Sequence, residues 1–112
     1  MGNEAINAAV RSALLALPWV SAVSATSFAG EAFSGVSADC TDANGKTYRL
    51  SIQFHSGAYS NVNRPMYGSE ENEFEAALIG DEGFVRLAPY DDVLGYVTLD
   101  TIIATVAVWL RR

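Results

Sequence analysis

Cysteine is nearly absent. Cys40 is the single one in 112 residues, so no intrachain disulfide can form and a cysteine-rich zinc site has no ligands. Histidine is also single, His55, and the sequence contains no His-x-x-x-His spacing, glycine-rich phosphate loop or dinucleotide fingerprint. No cofactor and no dedicated metal site are expected. Cations are scarce as well: seven Lys and Arg stand against thirteen Asp and Glu, a formal net charge of −6. Without a basic cluster there is little to release counterions from a phosphate backbone, so direct nucleic-acid binding is not expected.

Long apolar runs are missing too. Residues 101–110 fall well short of the roughly 20 a membrane-spanning helix needs. Residues 12–25 are apolar and rich in small side chains, but Glu4 precedes them and Arg11 is their only early cation. Ile6, Val10, Leu14 and Leu17 follow helical spacing there, which predicts a folded helix rather than a cleaved leader. No Asn-x-Ser/Thr acceptor occurs. These readings lead to the expectation of a cytoplasmic protein (host cytoplasm if phage-encoded) with no membrane contact.

What is present is ordinary globular composition, 50% hydrophobic and 18% charged, in a length suited to one domain spanning 1–112. A first helix is expected over residues 3–17, with Asn3 as N-cap and Pro18 forcing the exit. Ile6, Val10, Ala13, Leu14 and Leu17 form its buried stripe, with Asn7, Arg11 and Ser12 facing water. Two strands, 20–28 and 32–41, follow around Ala29, Gly30 and Glu31, their register left open by small side chains on both faces.

The next hairpin is better specified. Tyr48, Leu50, Ile52 and Phe54 alternate with polar residues, the period of a half-buried strand. A two-residue Asn44-Gly45 turn would set Tyr48 opposite Thr41 and Leu50 opposite Asp39. A three-residue loop, Ala43-Asn44-Gly45 with Gly45 left-handed, instead pairs Cys40 with Tyr48, Ala38 with Leu50 and Val36 with Ile52. All six are apolar, so this register is expected.

Residues 55–68 read as an irregular loop. Residues 69–80 admit a short capped helix or a strand in which Phe74, Ala76 and Leu78 alternate; a turn over 80–83 into a strand at 84–88 favours a hairpin. Residues 89–97 read as a connection. Thr98 then caps a C-terminal helix whose face is Leu99, Ile102, Ile103, Val106, Trp109 and Leu110. The expected fold is α+β: an antiparallel sheet of about four to five strands, a three-strand meander plus a hairpin, with both helices on one face.

Catalytic pairings are weakly supported. Cys40 and His55 could serve as thiol and base, but the register sends them to opposite faces. His55 and Ser56 with Asp91 or Asp92 make a triad on paper without any nucleophile-elbow sequence. Asp42-Ala43-Asn44-Gly45 suggests a calcium loop, yet aligning Gly45 to its invariant glycine puts Cys40 and Ser51 where the first and bidentate ligands belong. No catalytic residue is assigned.

Charge is unevenly placed. Up to Arg64, four acids are balanced by four cations, whereas Glu70, Glu71, Glu73, Glu75, Asp81, Glu82, Asp91 and Asp92 are opposed within their stretch only by Arg86. The preceding loop supplies Tyr59, Arg64, Met66 and Tyr67, residue types typical of interface anchors. These twelve positions are the expected partner-binding residues of a noncatalytic binding or inhibitory protein directed at a basic protein. In size and acidity such a chain is similar to inhibitors carried by phage and mobile elements, anti-CRISPR proteins among them. The rival expectations are an assembly subunit, of a virion or a homo-oligomer, and a small hydrolase-type enzyme using His55. The protomer is expected as a monomer or homodimer.

Overall fold

A computed structural model describes residues 2–63, 71–89 and 91–111. The chain runs α1 (Gly2–Leu15), β1 (Val20–Phe28), β2 (Glu31–Thr41), β3 (Thr47–Gln53), β4 (Phe74–Gly80), β5 (Gly83–Phe84), β6 (Val93–Val97) and α2 (Leu99–Leu110). All pairings are antiparallel. The order is β1-β2-β3-β4, and β5 and β6 share the outer side of β4. The expected α+β class is the observed one.

The β2–β3 register is the one polarity selects: Cys40 opposes Tyr48, Ala38 opposes Leu50 and Val36 opposes Ile52. The turn is built by Asp42, whose Oδ1 accepts from the N–H groups of Asn44 at 2.8 Å and Lys46 at 2.9 Å. Gly45, at φ +82°, supplies the left-handed residue that an L side chain would strain. On the same face Leu50, Ile52, Phe54 and Leu78 are fully buried, covered by Val10 and Leu14 of α1 and by Ile102, Val106 and Leu110 of α2. Edge-to-face rings close the two ends of this layer, Phe54 on Phe74 and Tyr48 on Trp109. Thr98 caps α2 as its sequence position suggests, accepting from Thr101 N–H at 3.3 Å.

Residues 69–79, where described, follow the strand reading: β4 turns through Asp81 and Glu82 into β5. That second strand is two residues long instead of five, since beyond Phe84 a single backbone bond, Val85 N–H to Leu78, follows the ladder. Residues 89–97 are not merely a connection. Val93–Val97 pairs with β4 as a sixth strand, and a bulge hides it from a period-two reading: Tyr96 takes φ +53° and donates its N–H to Tyr59 instead of to β4.

The first helix ends at Leu15 rather than at 17, and two of its residues are placed otherwise than expected. Asn3 lies inside it rather than capping it, its side-chain amide reaching Ala32 O. Asn7, expected in water, is fully buried. Its amide donates to Phe33 O at 3.0 Å and Gly35 O at 2.7 Å, while its Oδ1 accepts from Arg11 Nε at 2.7 Å. The reason is β2 itself: Phe33 takes φ +53° at an irregularity in the β1–β2 ladder, which turns carbonyls toward α1 that only a polar side chain can satisfy. Ser34 completes the repair by accepting from Phe28 N–H and donating to Glu31 O.

Candidate partner-binding surface

The face of the sheet away from the helices is crossed by a row of small side chains, Ser24, Ser37, Ser51 and Ala77, each opposite the next on neighbouring strands. Gly35 lies in the row beside it because the Phe28 ring crosses there; a Cβ would stand 2.5 Å from Phe28 Cε2.

Beyond β4 the surface changes character. Residues 58–63 are tied onto β4 by hydrogen bonds from the acidic segment itself. Ser60 Oγ donates to Glu73 O at 2.6 Å, Glu73 N–H donates to Asn61 Oδ1 at 2.7 Å, and Asn61 Nδ2 donates to Glu71 O at 2.9 Å. The Glu75 carboxylate accepts from Tyr59 N–H at 3.0 Å. Tyr59 O in turn accepts from Tyr96 N–H at 2.8 Å, which sets the two rings 6.2 Å apart. Tyr59 is held by its backbone while its ring stays 60% exposed; Tyr96 is 37% exposed, and Phe84 on β5 is 59% exposed.

The carboxylates form a string along this edge. Glu71 is exposed and Glu73 and Glu75 half-buried where the chain enters β4, and Asp81 and Glu82 project at its other end. Seven residues of strand separate those ends by roughly 20 Å. Asp91 and Asp92 precede β6, with Asp92 3.7 Å from Arg86 Nε. Tyr59, the three glutamates and the four outer acids therefore come to one side of the sheet, although Glu73 and Glu75 are partly occupied in holding the loop. Arg64, Met66, Tyr67 and Glu70 lie outside the described residues. Phe84 and Tyr96 were not among the expected anchors. Their available signal was aromatic side chains in segments with too little apolar periodicity to bury them.

An open cleft of about 410 Å³ adjoins this edge, floored by Ile6, Val10, Phe74 and Leu99 and bordered by Glu71 and Asp100. Its polarity is acidic over apolar, like that of the edge.

The paper triad does not assemble. Ser56 Oγ donates to the Glu31 carboxylate, which also takes the Ser56 N–H. These bonds, the hydroxyl's first and then the backbone's, hold the Glu31 carboxyl below its ordinary value. His55 Nδ1 accepts from Gly57 N–H at 3.1 Å, leaving Nε2 to donate to Gln53 Oε1 at 3.0 Å. Asp92 sits beyond β4 with Arg86. Cys40 is fully buried on the helix side, and burial raises its thiol to about 11. Among the described residues no three His, Cys, Asp or Glu cluster as metal ligands, and no helix is long and apolar enough to cross a membrane. Searches of family models, curated proteins and solved structures return no match to this chain.

Proposed function

We propose that the protein is a noncatalytic binding or inhibitory module that docks the outer edge of its sheet, β4 to β6, onto a basic surface of another protein. The observation that carries this reading is the coincidence of two features on one edge. Among the described residues the exposed aromatics, Tyr59, Phe84 and, less so, Tyr96, stand beside the carboxylate string. Charge spaced over about 20 Å matches an extended basic groove better than a point charge, and gives encounter rate and orientation. The aromatics give residence, because buried Tyr and Phe anchors dominate interface energies. The small acidic inhibitors of phage and mobile elements are the class this resembles in kind.

The test is capture of a partner from a native host lysate by wild type and two variants. Asp81→Lys/Glu82→Lys/Asp91→Lys takes the formal net charge from −6 to 0 through three reversals of two units each, and uses exposed carboxylates rather than the loop-holding Glu73 and Glu75. Tyr59→Ala/Tyr96→Ala removes the anchors. The reading predicts a specific basic partner that the first variant fails to recruit and the second releases quickly. Capture indifferent to both variants contradicts it.

A further inference from the structure

The opposite edge of the sheet differs in kind. β1 is a nine-residue edge strand, VSAVSATSF, with no charge and no proline. Natural edge strands of that length are usually blunted by lysine, proline or a covering element, because unpaired N–H and C=O groups template pairing with another chain. Irregularities at Val20/Ala22 and Thr26/Phe28 bracket the strand but leave Ala22 to Thr26 in regular register. Above it, α1 presents an exposed stripe of Ala8, Ser12 and Leu15, Leu15 by 56%, while Ala5 lines the cleft on the other flank of the helix. The stripe's spacing of four and three residues is one continuous helical face, with Glu4 the only acid on the exposed side of the helix.

We propose that β1 pairs antiparallel with β1 of a second copy of this chain about a two-fold axis at Ser24, with the α1 stripes meeting on the helix side. The pairing is self-complementary: Ser24 meets Ser24, Val23 meets Ala25 and Ala22 meets Thr26, with no like charges opposed. Charge selects the same occupant. A foreign basic partner finds no carboxylate on β1, whereas a second copy of a chain of net charge −6 is best tolerated here. The acidic edge is three strand spacings away, roughly 14 Å on each side, beyond the physiological Debye length of about 8 Å. The dimer is a continuous sheet with its two acidic edges outermost, free for the function proposed above. Strand pairing alone buries too little for a stable dimer, for which about 1,200 Å² is typical; the α1 contact supplies the remainder.

Light scattering over a concentration series tests this, with hydrogen exchange at residues 22–26 as a second readout on the unmodified chain. The expected result is a mass rising from 12.0 kDa to twice that value, with slower exchange at 22–26 as concentration rises. Ser24→Lys and, separately, Leu15→Lys weaken dimerisation at least tenfold, while the Asp81/Glu82/Asp91 reversal leaves it intact. A wild-type mass of 12.0 kDa throughout, or dimers that ignore Ser24→Lys with exchange at 22–26 unchanged, overturns the proposal. Neither result bears on capture by the acidic edge, which is measured separately.

Discussion

A buried asparagine on a helix and a buried hydroxyl on a strand illustrate opposite sides of polar burial. Asn7 satisfies two carbonyls of the distorted β2 strand and is itself satisfied by Arg11. Asn7→Ala leaves those carbonyls in the interior without donors, a loss of about 2 to 4 kcal/mol, read as a lower urea midpoint. Thr26 Oγ1, in contrast, is buried and has no partner among the described residues. Thr26→Val keeps the β-branched shape and discards the unsatisfied oxygen, so stability should rise by about 1 kcal/mol; a lower melting temperature would contradict that. The two residues also show why sequence reading misplaces buried polar groups. Asn7 lies on the flank of the stripe formed with Val10 and Leu14, where helical spacing leaves either direction open. Its polar side chain argued for water, and only the strained backbone at Phe33 explains why an amide belongs there.

Among the elements, β2 and β3 were legible because only one register put six apolar side chains on one face, and turn chemistry agreed with it. β6 was not legible. Its bulge breaks the alternation, and the partner for the displaced Tyr96 N–H comes from a loop 37 residues earlier in the chain, which no local pattern encodes. Of the surface, the acids and Tyr59 were readable from composition, whereas the roles of Glu73 and Glu75 as loop anchors required the fold. Carboxylates that hold elements together also set the response to acid. Asp42 is held below its ordinary value chiefly by the Lys46 N–H in the β2–β3 turn, and Glu31 by Ser56, which ties β2 to the start of the 55–63 loop. Each native carboxyl binds its proton less readily than in the unfolded chain. The stability they contribute is therefore full above their ordinary values, 3.8 for Asp42 and 4.5 for Glu31, and is lost as pH falls through the lowered native values. Melting temperature should fall with acidification in this range, and Glu31→Gln should flatten part of that slope. Because both groups are solvent-accessible, added salt should reduce their share of it. A variant that keeps the full wild-type slope would contradict this assignment.

At the scale of the whole molecule, the sheet separates two kinds of surface. One edge is an uncharged strand, in regular register from Ala22 to Thr26; the other carries most of the acid and, among the described residues, the exposed aromatics. The helices pack on a single side of the sheet, and the two proposed associations use its two edges. Self-association through β1 buries little charge and should change weakly with salt, whereas docking through β4 to β6 rests on steering and should weaken steeply with it. Salt dependence therefore distinguishes the two surfaces without mutation.

The claim that the β4 to β6 edge binds a basic protein is tested most directly by association and dissociation rates of the captured partner. They are measured at about 0.1 M and about 1 M salt, between which the Debye length falls from about 10 Å to about 3 Å. For the wild type, association should slow at least tenfold across that range. The Asp81→Lys/Glu82→Lys/Asp91→Lys variant should associate slowly at both concentrations, and Tyr59→Ala/Tyr96→Ala should keep the salt dependence but dissociate faster. Equal association rates at the two salt concentrations, or a charge-reversed protein that binds like wild type, would contradict the account.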